Sequence, residues 1–228
     1  LKISTAYDDA KLQIEQIDKF VDMKVDLLIV APGQVGVSGA IERAYDKGIP
    51  VIVFDRRTSS DKYTAYIGAD NEEMGRNIAR YLSAIVKKGE GRIVEVCGLA
   101  TSAPAIERRE GFDGEVAKHD NMDVVAHVET DWTEQMAYRK MDSLLSVPHP
   151  SFNYVFAHND RMAMGAKKAV RKHGLDLSKI HFIGIDAMPQ DGGGMQLVRD
   201  GELLVSYIYP TRGDKVMELA MDILNKKK

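Results

Sequence analysis

Short apolar runs rich in β-branched residues alternate along this chain with longer segments whose apolar positions recur at i, i+3 and i+4. The runs that read as strands are residues 1–5, 25–31 (VDLLIVA), 50–55 (PVIVFD), 65–68, 92–97, 124–128, 154–157, 181–185 and 203–209. The segments that read as amphipathic helices are 11–23, 37–47, 72–86, 105–118, 134–146, 161–173 and 213–224. Runs such as LLIV and VIVF show no polar alternation, so those strands need cover on both faces. Strand and helix in turn, with strands of that kind, predict an α/β fold of doubly wound parallel sheets.

The winding breaks at two places. After Asp55 a polar stretch, 56–62, leads into the strand at Ala65 with no room for a helix, and the strand at 203–209 ends at Pro210 with a helix opening from Thr211. Two such passages predict two lobes, residues 1–68 with 211–228 returning to the first and 69–210 forming the second, with a cleft and short hinges between them. No solenoid-length repeat and no low-complexity segment is present.

Composition narrows the class. In 228 residues, 44% are hydrophobic and 29% charged, which fits a packed globular chain rather than a disordered one. No apolar run approaches the length of a membrane span. A net charge of −3 supplies no general field for a polyanion, the tail Asn225-Lys226-Lys227-Lys228 being the one basic run, so nucleic acid is not an expected partner. The single cysteine, Cys97, lies in the apolar run IVEVC and reads as a small buried hydrophobe. The chain opens inside an expected strand, as a piece of something longer does.

In open α/β sheets ligands sit beyond the carboxyl ends of the strands. There this chain places Asp55-Arg56-Arg57, His158-Asn159-Asp160 and Asp186, a set of carboxylates, an amide and guanidinium groups able to meet hydroxyls that both donate and accept. Each has an ordinary alternative. Asp160 reads as the cap of the helix at Arg161, whereas Asn159 has no such duty. Asp186, ahead of Pro189 and three glycines at 192–194, reads equally as a turn aspartate. Arg108 and Arg109 can be solvated helix residues pairing with Glu107 or Glu110. Trp132, the only tryptophan, lies in a strand-to-helix loop, where an exposed ring serves the apolar face of a sugar or nucleobase.

Catalytic and phosphate-binding motifs are missing. There is no G-x-S-x-G, H-E-x-x-H, Walker A or G-x-G-x-x-G pattern, and the triple glycine reads as a flexible turn. Histidines 119, 127, 149, 158, 173 and 181 show no metal-pair spacing on one helix face. Asp55 and Asp186 could transfer protons, but no nucleophile accompanies them. Neither an enzyme nor a bound metal or cofactor is expected.

Taken in order, VDLLIVAP, IPVIVFDRR, YIGADN, TSAPAIERREGF, YVFAHNDRMAMGA, FIGID and LVRDGELLVSYIYP resemble the type I periplasmic binding proteins of the ribose-binding kind, over the whole length. DKYTAYIGADN, AHNDR, GIDAMP and YPTRGDKVMELAMDIL are similar, more particularly, to the extracytoplasmic sensor domains of hybrid two-component histidine kinases that regulate carbohydrate use. The resemblance implies a periplasmic domain that binds a monosaccharide or short saccharide without covalent chemistry. Asp55 and Arg56 would contact sugar hydroxyls from the first lobe, and Arg108, Trp132, Asn159 and Asp186 from the second. Tyr209 stands where ribose binders carry a glutamine. Implied partners are a small sugar, the membrane-anchored signalling region of a parent chain and a second copy of the domain. Alternatives are a free solute-binding protein of a sugar ABC transporter and the effector core of a lactose-repressor-type transcription factor. Relative to the family, the first strand-helix unit and the last crossing are missing from the stretch.

Overall fold

The computed structural model describes residues 1–87 and 90–226, so Lys227 and Lys228 of the basic tail lie outside the described residues. The chain divides into two compact units: Leu1–Ala69 with Thr101–Pro104 and Pro210–Lys228, and Asp70–Ala100 with Ala105–Tyr209. Each unit is built on its own parallel sheet.

The first unit has strands β1 (Leu28–Val30), β2 (Val51–Asp55) and β3 (Ala65–Gly68) in that order, with helices α1 (Ala10–Asp22), α2 (Ser38–Asp46) and α8 (Gly213–Lys226). Alternation along β2 explains the double cover. Val51 and Val53 pack with Ile17, Val21, Ile41 and Ala44 of α1 and α2, whereas Ile52 turns to Val216 and Ala220 of α8. Asp9 caps α1 by accepting the Leu12 N–H at 3.0 Å.

Residues 1–5, expected as a strand, are not one. A strand exists only through its ladder, and β1 pairs with β2 alone, leaving Leu1 and Ile3 at 103% and 80% exposure. The other expected strands form with shifted ends, 25–31 contracting to Leu28–Val30 and 124–128 extending to Met122–Glu129.

In the second unit the strand order is β5 (Met122–Glu129), β4 (Gly91–Cys97), β6 (Tyr154–Ala157), β7 (His181–Asp186), β8 (Val205–Ile208), all parallel. Helices α5 (Glu134–Leu145) and α6 (Asp160–Lys172) cover one face over Val94, Val96, Val155, Ala157 and Phe182. Helices α3 (Asn71–Ile85) and α4 (Ala103–Val116) run close together. A Cβ on Gly75 would stand 2.2 Å from the Arg108 carbonyl oxygen, and one on Gly111 1.9 Å from that of Glu72. The two glycines therefore permit the approach that brings Asn71 to Arg108. Phe112 of α4 packs on Phe156 of β6 with ring centroids 4.5 Å apart, both fully buried.

One short helix, α7 (Gly194–Arg199), was not expected. The three glycines at 192–194, the last of which opens it, are more than a flexible turn: Gly192 is left-handed at φ 74°, and a Cβ on Gly194 would meet Asp160 Oδ2 at 2.0 Å. Among the described residues no helix is long and apolar enough to cross a membrane.

Candidate functional site

In the first unit the polar residues collect at the carboxyl ends of β1 and β2. Arg56 donates from Nη1 to Asp8 Oδ1 at 2.6 Å and to the Gly33 carbonyl at 2.9 Å. Its Nε lies 3.8 Å from Asp55 Oδ2. The hydroxyl of Tyr66 donates to the Asp55 carbonyl at 3.3 Å, and Arg57 lies over the Tyr66 ring at 4.3 Å. Asp55 and Arg56 are thus neighbours in one half-buried cluster. Asp8, which sequence reasoning did not single out, is its third member. Its signal was available, because it closely follows the expected strand at 1–5.

The second unit gathers the other candidates at its strand ends. Arg108 is not the solvated helix residue that its neighbours suggested; it is 4% exposed. Its Nε donates to Asn71 Oδ1 at 3.0 Å, and Nη1 donates to the His158 carbonyl oxygen. Its guanidinium carbon stands 5.5 Å from the Trp132 ring centroid and 5.2 Å from that of Tyr209, within cation–π range of both. The solvated role belongs to Arg109, which pairs with Asp113 at 3.6 Å and Glu129 at 3.5 Å.

Trp132 is half-buried rather than exposed and touches the core beneath α5. Its ring lies so close over Gly98 that a Cβ there would come within 2.4 Å of two indole carbons. Gly98 directly follows β4 and was not foreseen as a site residue; an aromatic needing a bare backbone to lie on leaves no trace in local sequence.

The capping assignment reverses. Asn159, not Asp160, caps α6: its backbone is extended at φ −152°, and Oδ1 accepts the Met162 N–H at 2.7 Å. Its Nδ2 also donates to the Trp132 carbonyl at 3.1 Å, tying the two loops together. Asp160 has already entered the helix and turns inward, accepting from the Ala187 N–H at 2.9 Å and the Ser206 hydroxyl at 2.6 Å. Burial pushes its carboxyl above the ordinary range, against the pull of those two donors. Asp186 accepts the Tyr209 N–H at its carbonyl, 3.3 Å away, which brings the β7 and β8 ends together.

Three candidates have left-handed backbones, Asp55 at φ 64°, Trp132 at 73° and Asp186 at 120°. A non-glycine residue there costs on the order of 1–3 kcal/mol, and such residues concentrate where a side chain must be aimed. The turn reading of Asp186 therefore stands with the binding reading rather than against it.

Beneath these strand ends lies a network absent from the sequence reading. His158 is fully buried; its Nδ1 accepts the Gly98 N–H at 3.2 Å, and its Nε2 donates to Glu95 Oε1 at 2.9 Å. His127 Nδ1 approaches Glu95 Oε2 at 2.8 Å. Burial alone would raise the Glu95 carboxyl, and the two imidazole bonds outweigh it and hold it at about 2. Burial lowers His158, while the bond to Glu95 raises His127. The histidines looked scattered because helix spacing was the test, whereas His127 and His158 lie on or just beyond strands that flank the strand of Glu95.

Two parallel-sheet units, each with polar side chains collected at its strand carboxyl ends, define a two-unit α/β ligand-binding domain. The family model described as periplasmic binding protein domain matches residues 2–228. The chain belongs to the periplasmic binding protein family, with the type I fold.

It is 33% identical to the ribose import binding protein of Escherichia coli over 205 residues, covering 89% of this chain and 66% of that protein. A solved structure, the fructose binding periplasmic domain of a hybrid two-component system, matches at TM-score 0.93 and 45% identity, covering 99% of this chain and 74% of that one. The binding protein of an arabinose ABC transporter from a Shewanella species, bound to L-arabinofuranose, matches at TM-score 0.81 and 27% identity, covering 96% and 73%. The chain thus spans about two thirds of the length of the ribose import relative.

Proposed function

We propose that this chain binds a monosaccharide or short saccharide reversibly in the periplasm, as the sensor domain of a sugar-responsive two-component signalling protein. The contacts are Asp55 and Arg56 in the first unit and Arg108, Trp132, Asn159, Asp186 and Tyr209 in the second. The observation that carries this reading is the buried Arg108 guanidinium, within reach of the Trp132 and Tyr209 rings and oriented by Asn71 and the His158 carbonyl. A pyranose or furanose ring presents an apolar face to aromatics and hydroxyls to charged groups at its rim, and this grouping offers both. Binding of this kind needs no nucleophile and no turnover. The sensor role rests on the 45% identity to the fructose binding domain of a two-component system. The membrane-anchored signalling region of the parent chain, which would carry the kinase, and a second copy of the domain are the protein partners of that role.

A second reading, the solute-binding component of a sugar ABC transporter, is favoured by the ribose import and arabinose transporter relatives. The test is calorimetry against fructose, ribose, L-arabinose and galactose. At least one sugar binds the wild-type chain, and Asp55→Ala and Arg108→Met each weaken that binding at least tenfold while far-ultraviolet circular dichroism is unchanged. Binding of no sugar by the folded chain, or unaltered affinity in both variants, overturns the proposal. In the parent protein, Asp55→Ala abolishes sugar-dependent autophosphorylation if the sensor reading is right, whereas loss of sugar uptake with signalling intact assigns the transporter.

A further inference from the structure

Between β4, β5 and α4 of the second unit lies a cluster of ionisable groups that sugar binding does not use. Glu95 and Cys97 are two residues apart on β4, so they share a face, and His127 is directly opposite Glu95 on β5. One donor atom from each, a carboxylate oxygen, the thiol sulfur and an imidazole nitrogen, all lie within 4.8 Å of one another. Ligands of a tetrahedral zinc, each about 2.0–2.3 Å from the ion, stand roughly 3.5 Å apart, so shifts of about 1 Å close this set around one ion. Glu95 and Cys97 are buried and His127 is partly open to solvent, which leaves an entry path.

Charge and orientation point the same way. Asp113 of α4 holds Oδ2 3.6 Å from His127 Nε2, and its Oδ1 is buried with no hydrogen-bond partner among the described residues. Arg109 is the cation paired with Asp113 and Glu129. The carboxylates of Glu95, Asp113 and Glu129 therefore face one guanidinium and two imidazoles, and burial disfavours the charged form of one of these, His158, so the site is short of positive charge. The remaining oxygen of Glu95 is held by His158, whose own tautomer is set by the Gly98 N–H. Outer partners of that kind fix a ligating carboxylate in metal sites.

We propose that Glu95, Cys97 and His127 form a binding site for a thiophilic divalent cation of the zinc class, with Asp113 holding a water in the fourth position. In the metal-free chain the proton on His127 Nδ1 bridges to Glu95 where the cation sits when bound. Loading at a pH where the imidazole is charged releases two protons, one from that nitrogen and one from the Cys97 thiol, and the thiolate, imidazole and carboxylate coordinate the ion. The site stands independently of the sugar reading.

Cobalt(II) titration of the chelator-treated chain tests it. The expected result is one equivalent bound with a thiolate-to-cobalt charge-transfer band in the near ultraviolet, bleached by zinc and accompanied by release of about two protons per ion in weak buffer. Cys97→Ser abolishes the band. His127→Gln, at a partly exposed position that leaves the fold intact by circular dichroism, weakens cobalt binding at least tenfold. Absence of the band in the folded wild-type chain, or a band and affinity unchanged in His127→Gln, overturns the proposal and leaves a proton-bridged polar cluster.

Discussion

Gly98→Ala is the sharpest probe of how the second unit holds its aromatic platform. The new Cβ would lie 2.4 Å from the Trp132 ring, against 3.4–4 Å for ordinary contact, so the indole must retreat by about 1 Å. It cannot do so freely, because the Asn159 amide holds the Trp132 carbonyl and the ring rests on the core beneath α5. Overpacking of this kind costs about 1–3 kcal/mol. For a chain of this size that lowers Tm by roughly 2–12 °C. The assay is equilibrium denaturation followed by fluorescence, and since the chain has one tryptophan its emission reports Trp132 alone. A double-mutant cycle, followed by far-ultraviolet circular dichroism because Trp132→Ala removes the fluorophore, isolates the contact: once the indole is gone, Gly98→Ala costs little, which gives a coupling of about 1–3 kcal/mol. Unaltered emission and Tm in Gly98→Ala, or additive costs in the cycle, refute the placement of the ring against Gly98.

Two further outcomes follow from the same loops. Asn159→Ala removes the α6 cap and the bond to the Trp132 carbonyl, and lowers stability by about 0.5–2 kcal/mol in urea denaturation, so the proposed sugar contact of Asn159 must be tested well below the unfolding midpoint. Asp160→Asn tests pH dependence: a carboxyl raised by burial takes up a proton more readily in the folded state than in the unfolded one, so ionising it weakens the fold as pH rises from the ordinary aspartate range through the raised value. The variant loses that part of the decline, seen as a flatter Tm-against-pH curve above the ordinary aspartate range.

The strands and helices were legible because each parallel strand, covered on both sides, must be an unbroken apolar run, and VIVFD and YVFA are such runs. Residues 1–5, LKIST, were also expected as a strand and fail, because a strand needs a neighbour and sequence pattern does not count neighbours. Strand-end logic brought out Asp55, Arg56, Asn159 and Asp186 for a topological reason. It did not reach Gly98, Asn71 or Glu95, whose roles arise from close approach and from contacts across strands and helices. The cap was misassigned to Asp160 because position alone does not separate two adjacent cap-forming residues; the extended backbone of Asn159 does. Arg108 read as solvated because its helical neighbours are charged, whereas the close passage of α3 and α4 at Gly75 and Gly111 sets it inside.

The left-handed backbones at Asp55, Trp132 and Asp186 carry a consequence for how this chain can diversify. Aspartate, asparagine and glycine tolerate that conformation, whereas β-branched residues resist it. Exchange is therefore easier at neighbouring positions outside the left-handed region, Arg56 and Tyr209 among them, while the kinked positions themselves admit a narrow alphabet. The kinks are set during folding, so an arriving solute meets loops already aimed and loses less affinity to ordering them.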